Sequence, residues 1–239
     1  MELPSLTKTW HNASYPAISP SNLALSVAGK TVFITGGGAG IGFATARAFA
    51  AAGASTVAIS GRTEKTLLSA KEDIESAHKG VRVLTFVADV TDQKAVDAAF
   101  ASAGKIDVLV HNAGYLPKLV PITQSGIQDW WSGFEINVKG AFIVTQAFLK
   151  VAASDAILID LTTGMVHLPA FPGYSAYQAS KTAEHRFFDS VQLENPDLHV
   201  VQVHPGVVAT DMGQKGLDAG VDLPLDDGKI ILLVNNQMH

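Results

Sequence analysis

The sequence has 239 residues, a formal net charge of −5 and no cysteine, which excludes disulfides, thiol catalysis and cysteine-ligated metal and offers no basic surface for a nucleic acid. A hydrophobic content of 47% suffices for one sizeable α/β domain, yet no apolar run approaches the ~20 residues needed to span a bilayer. The opening residues lack the apolar core of a signal peptide, so the expectation is a cytoplasmic protein without membrane association.

In chain order, residues 1–26 are polar and interrupted by Pro4, Pro16 and Pro20, and read as an N-terminal arm lying over one domain of residues 27–239. Residues 31–34 are β-branched and aromatic without polar alternation, which predicts a buried parallel strand. The strand runs into Thr35-Gly36-Gly37-Gly38-Ala39-Gly40-Ile41-Gly42, followed by an alanine-rich helix over 41–52 and a second strand over 56–60. Gly36 and Gly40 can take backbone angles closed to other residues, and Gly42 lets the helix pack closely on the strand. The N–H groups at the helix start then face an anion. Together these elements form a βαβ unit of the dinucleotide-binding kind.

Thr63 can cap a helix running to about residue 78, with Leu67 and Ile74 on one face. A third strand over 81–87, a helix over 92–103 and a fourth strand over 106–110 follow, and then a long loop, 114–126, of the kind that holds ligands. One long helix is expected over 127–151, a fifth strand over 156–161, a helix over 174–193 that stops before Pro196, and a sixth strand over 198–204. Strands alternating with helices predict a parallel sheet covered on both faces.

Tyr177 and Lys181 are four residues apart and so share a helix face, one turn from each other. An ammonium beside a phenol favours the phenolate and should bring its pKa from near 10 toward neutrality. Such a phenol can exchange a proton with a carbonyl oxygen while a cofactor exchanges hydride with the carbon. The alternative for this pair is a core tyrosine beside a solvated lysine. No metal site is expected: His199 and His204, five apart on a strand, point to opposite faces, and His111, His167 and His185 stand alone in sequence.

The glycine loop, Asn112-Ala113-Gly114, Tyr177-Gln178-Ala179-Ser180-Lys181 and Pro205-Gly206 occur in an order and spacing that resembles the short-chain dehydrogenase/reductase family from about residue 30 to 211. The arm and the string HLPAFPGYSAYQASK are similar to fungal members. The resemblance implies a single-domain Rossmann fold with a doubly wound parallel sheet of six to seven strands and helices on both faces. It implies cofactor contacts at Gly36, Gly38, Gly40, Ile41, Gly42, Asp89, Val90, Asn112, Ala113, Gly114, Tyr177, Lys181, Pro205, Gly206, Val208 and Thr210, with Asp89 on adenine and Thr210 on the nicotinamide carboxamide. At the end of the second strand Gly61 stands where NAD enzymes place a carboxylate, and Arg62 offers a planar fork for a 2′-phosphate, so NADP(H) is favoured over NAD(H).

The family's catalytic roles fall on Tyr177, Lys181 and Asn137, the last in a water-mediated proton relay. The family serine, thirteen residues before the tyrosine, is replaced by Gly164, and the role is assigned to Thr163, whose extra methyl crowds the pocket. The implied activity is NAD(P)(H)-dependent interconversion of an apolar ketone and a secondary alcohol; the alternatives are a cofactor-binding protein or partner subunit with little turnover, or a redox-neutral isomerase or cyclase. Leu116, Leu119, Met165, Leu168, Phe171, Tyr174 and Met212 are the expected pocket wall. Only 29 residues follow Thr210: 207–228 read as a lid-like segment without the usual lid helix, and 229–239 as an atypical tail whose strand-like residues 229–234 pair at the sheet edge or on another subunit. The resemblance implies a homodimer rather than a tetramer, built on the two long helices that carry Asn137 and Tyr177, with Trp130, Trp131, Phe134, Phe142 and Phe148 of the first among the candidate packing residues.

Overall fold

The apolar runs form six parallel strands: β1 Thr31–Thr35, β2 Thr56–Gly61, β3 Arg82–Val87, β4 Ile106–His111, β5 Ala152–Leu161 and β6 His199–Val203. The structure is a computed structural model that describes residues 15–218. The strand order is β3-β2-β1-β4-β5-β6, with Ile34 of β1 level with Ile59 on one side and Val110 on the other. Chain direction across the sheet reverses between β1 and β4, the switch point at which doubly wound sheets bind ligands. Seven α-helices flank the sheet among the described residues: α1 Gly40–Ala51, α2 Glu64–Ala77, α3 Gln93–Ala103, α4 Ile127–Phe134, α5 Gly140–Leu149, α6 Ser175–Glu194 and α7 Asp211–Asp218.

The two-residue side-chain period of a strand makes two cores from one sheet. Val32 and Ile34 face a cluster with Ala46 of α1 and Leu67 and Ile74 of α2, while Phe33 between them faces α3, α5 and α6. The Phe33 ring stacks on Phe100 at 4.1 Å. The expectation of a single sheet with helices on both faces is met.

The long helix expected over 127–151 is instead α4, a π-helical turn at Glu135–Lys139, and α5. The wide turn carries Asn137, fully buried, whose amide is spent on neighbouring chain: Oδ1 accepts from Tyr115 N at 2.7 Å, and Nδ2 donates to Tyr115 O and to Ser180 Oγ, both at 3.0 Å. A helix widened by one residue at such a point is a common functional-site device. Thr63 precedes α2 without a capping side-chain bond, whereas Asp92 does cap α3, accepting from Lys94 N and Ala95 N at 3.0 and 3.1 Å.

The expectation of no lid helix is overturned by α7. Thr210 caps it, taking Gly213 N on Oγ1 at 3.1 Å and Gln214 N on its carbonyl at 2.8 Å. The glycines suggested a loop, but a capping threonine and a first-turn aspartate are sufficient start signals. Of the arm, residues 15–26 form two short 3-10 turns, Pro16–Ile18 and Leu23–Leu25. The proposed strand at 229–234, the rest of the lid-like segment and residues 1–14 lie outside the described residues. Among the described residues no helix is long and apolar enough to cross a membrane.

Candidate active site

At the C-terminal end of β1 the chain makes a turn that only glycine can build. A Cβ on Gly42 would lie 2.3 Å from Gly36 O and 2.6 Å from Asn112 Nδ2, and Gly36 and Gly40 hold φ of +67° and +54°. Thr35 ties this turn to β4: its Oγ1 accepts from the N–H groups of Asn112 and Ala113, both at 3.0 Å, and its carbonyl accepts from Asn112 Nδ2 at 2.8 Å. Ala39 offers no side-chain cap to α1, so the first-turn N–H groups remain for an anion. Thr210 stands over the turn, its Cγ2 3.3 Å from where a Gly40 Cβ would sit. The cradle therefore suits the pyrophosphate of a dinucleotide.

The other expected cofactor residues lie on several elements. Gly38 lies against Thr66 and Leu67, and Ile41 packs on the α1 core. Gly114 approaches Asn137 Oδ1, and Gly206 turns the chain after β6 with φ of +81°. Val208 O accepts from Thr210 N at 2.8 Å, next to Pro205-Gly206 in the crossover toward α7. Val90 is buried, and its methyl would be met at 2.8 Å by a Cβ on Gly140, so its side chain serves packing. Asp89 accepts from Thr91 N at 2.9 Å and Thr91 Oγ1 at 2.7 Å. Burial would raise its carboxyl, but these bonds and the charge of the exposed Arg62 outweigh burial and hold it below the ordinary value.

Thr163, Tyr177 and Lys181 meet at the C-terminal ends of β4 and β5. Thr163 Oγ1 accepts from Met165 N at 3.3 Å, and its hydroxyl is near enough to the Tyr177 phenol to favour the phenolate. Tyr177 is half-buried. Lys181 is buried; its Nζ donates to Leu161 O at 2.9 Å and pairs with Glu184 Oε2 at 2.5 Å.

Burial, together with that last contact, reverses one expectation. Tyr177 has its pKa raised above the ordinary phenol value, not brought toward neutrality. Burial is the largest cause, Lys181 opposes it, and the carboxylates of Glu184 and Asp160 add to the upward push. The lysine is not a lone ammonium: Glu184 answers its charge, and behind Glu184 stand two more buried ionisable groups. His111 Nδ1 lies 3.2 Å from Asp160 Oδ1 and 3.3 Å from Glu184 Oε1, with all three residues at most 1% exposed.

Within this set burial alone would lower the His111 pKa, but hydrogen bonds and charge from Asp160 and Glu184 push it up to about 9. Burial and repulsion from Glu184 raise Asp160, whereas Glu184 is lowered because Lys181 and His111 outweigh its own burial. Burial would lower Lys181 too, yet Glu184, Asp160 and Tyr177 hold it above its ordinary value. His111, Asp160 and Glu184 are compact enough to be considered for a metal ion, their ligand atoms lying within 4.8 Å of one another. The Lys181 ammonium at Glu184 already occupies the cationic place, so the set reads as a charge network and not as a metal centre.

The rotation of α6 explains part of what sequence reading missed. Tyr177, Lys181 and Glu184 stand at i, i+4 and i+7, one continuous stripe that could have been read. His111 and Asp160 face each other only through the β4–β5 register. Gln178 was also missed: its Nε2 donates to the carbonyls of Met165, Leu168 and Pro169 at 2.9, 3.0 and 3.1 Å and so shapes the loop after Thr163.

A family model described as short chain dehydrogenase matches residues 30–219. The chain belongs to the short chain dehydrogenase family. The Monascus ruber short chain dehydrogenase pigC is 38% identical over 227 residues, covering 89% of this chain and 73% of that protein. Among solved structures, a short-chain dehydrogenase/reductase from Serratia marcescens aligns with a TM-score of 0.72 at 27% identity, covering 78% of each chain. A dehydrogenase/reductase from Sinorhizobium meliloti aligns with a TM-score of 0.72 at 28% identity, covering 82% of this chain and 78% of its own. The similarity to fungal members and the Rossmann architecture are thus both met, and family membership implies an oxidoreductase that uses a nicotinamide cofactor.

For this short chain dehydrogenase the expected substrate wall is assembled in part. Leu116 and Tyr174 are buried, and Tyr174 meets Phe171 and Tyr177 edge-on at 6.4 and 6.5 Å. Helix α7 leans over them: Lys215 Nζ is 5.6 Å from the Tyr115 ring, and Gly216 would place a Cβ 3.3 Å from Tyr174 Oη. Met212 stays 37% exposed on α7. Of the residues expected at a subunit interface, Phe148 is corrected to the interior, being fully buried against the sheet; Trp131 and Phe142 are 52% and 47% exposed.

Proposed function

We propose that this chain is an NADPH-dependent carbonyl reductase acting on an apolar ketone, the reverse being oxidation of a secondary alcohol. The observation that carries this reading is the meeting of Thr163, Tyr177 and Lys181 beside the glycine cradle. Bound NADPH would supply the hydride to the carbonyl carbon. The Thr163 hydroxyl and the Tyr177 phenol converge where the carbonyl oxygen would lie, and Tyr177, held protonated, gives that oxygen its proton. The Lys181 ammonium then faces the phenolate left behind and stabilises it. Asn137 acts through structure, since its amide fixes the π-helical turn and the chain at Tyr115. The aromatic wall at Phe171 and Tyr174, under α7, favours an apolar ligand.

The NADP preference rests on Arg62, exposed at the end of β2 with no acidic residue at Gly61. Arg62→Ala is expected to weaken NADPH binding by 10-fold or more, on the order of one charge-assisted contact, and NADH much less; an equal loss for both cofactors, by fluorescence titration, would sink the phosphate contact. The exposed Trp131 and Phe142 support a homodimer, which light scattering reads directly. The central test follows NADPH absorbance over a panel of apolar ketones. Turnover is expected for wild type and loss of about 100-fold or more for Tyr177→Phe, with cofactor affinity retained. Turnover kept in Tyr177→Phe would remove the phenol from the mechanism.

A further inference from the structure

The Tyr177–Lys181 pair sits on a buried ionic network that the reaction itself does not call for. The Tyr177 phenol feels the charges of Lys181 and Glu184 on α6 and of Asp160 on β5, with Thr163 just after β5 close by and the Tyr174 ring, just before α6, at 6.5 Å. Glu184 is faced by Lys181 from its own helix, by His111 from β4 and by Asp160 from β5. Three fully buried ionisable residues behind a catalytic lysine are costly to maintain, because each charge must be answered in a medium of low polarity. A purely apolar filling would pack α6 on β4 and β5 at less cost.

Resting on the assignment of Tyr177 as proton donor, we propose that Glu184 is a positioning residue: braced by His111 and Asp160, it holds the Lys181 ammonium at the floor of the site and takes up charge that would otherwise act on the phenol alone. The 2.5 Å contact with Lys181 draws the ammonium into the network, and the Leu161 carbonyl at 2.9 Å fixes it from the other side. Two carboxylates near the phenol oppose its ionisation while one ammonium favours it. Tyr177 therefore stays a donor across the neutral range, which sets the site for reduction and confines alcohol oxidation to alkaline conditions.

The test titrates the phenol in the full free chain by ultraviolet difference absorbance. Subtracting the Tyr177→Phe curve isolates Tyr177 and requires no substrate. Glu184→Gln keeps the shape and removes the charge, and is expected to lower the Tyr177 midpoint by about 1 unit, the order of one buried neighbouring charge. Asp160→Asn should also lower it, by less, and carries the test if Glu184→Gln does not fold. A midpoint unmoved or raised in the folded variant overturns the proposal. In the active chain, the rising limb of the pH profile for alcohol oxidation should move to lower pH in Glu184→Gln by the same amount; a lower rate with an unmoved limb would mean that Glu184 is only structural. A moved midpoint in a chain that reduces no ketone would sink the proposed reaction and leave the role of Glu184 standing.

Discussion

At Thr163 a single methyl separates this chain from the serine that its family resemblance leads one to expect. Met165 N donates to the Thr163 oxygen at 3.3 Å, which leaves the O–H of Thr163 as a donor. The methyl is buried along with the rest of the side chain, 8% exposed, so it does not float freely in the cleft. Thr163→Ser is expected to keep ketone reduction within about 3-fold, or to raise it, while Thr163→Val removes the hydrogen bond at constant shape and lowers kcat by 10-fold or more, roughly the worth of one such bond at an oxyanion. Equal steady-state rates for all three chains would make Thr163 structural.

Elements show how close approach is organised around the glycines. Strand β1, the turn and α1 can converge because Gly42 has no Cβ; one added there would lie 2.3 Å from the Gly36 carbonyl, and backbone cannot yield as a side-chain end can. Gly42→Ala is accordingly expected to push α1 off β1 and to reduce dinucleotide affinity by about 10-fold or more, with thermal unfolding shifted down by several degrees; binding calorimetry and a thermal melt check both. An unchanged affinity would mean that the cradle does not hold the pyrophosphate. The π-helical turn belongs to this scale as well. Residues 127–151 have the apolar spacing of one helix, but Asn137 must reach Tyr115 and Ser180 at once, and the ladder widens where it does.

Across the whole molecule, the buried network makes stability depend on pH. The folded His111 pKa lies above its unfolded value near 6.5, at about 9, so its contribution is fully present below about 6.5 and is lost as pH rises through about 9. Glu184 runs the other way: its depressed pKa gives stability that is lost in acid. Urea unfolding is therefore expected to show a fall of about 1–3 kcal/mol between pH 6.5 and 9, and the slope should vanish in His111→Gln; a wild-type chain equally stable at both ends would show that the imidazole is uncharged. Much of the rest was legible locally. Strand and helix order, the glycine cradle and the shared face of Tyr177 and Lys181 follow from residue type and spacing along one or two elements, while the substitution at Thr163 is visible only through the family resemblance. What tertiary structure alone decided is what depends on register and burial between elements distant in sequence. His111 and Asp160 are separate in the chain and become neighbours because β4 pairs with β5, and Glu184 joins them because α6 packs across both strands. The direction of the Tyr177 shift was decided by burial first and by those carboxylates second: a lysine four residues away is visible in the sequence, but exclusion of water and the charge that answers the lysine exist only in the folded chain.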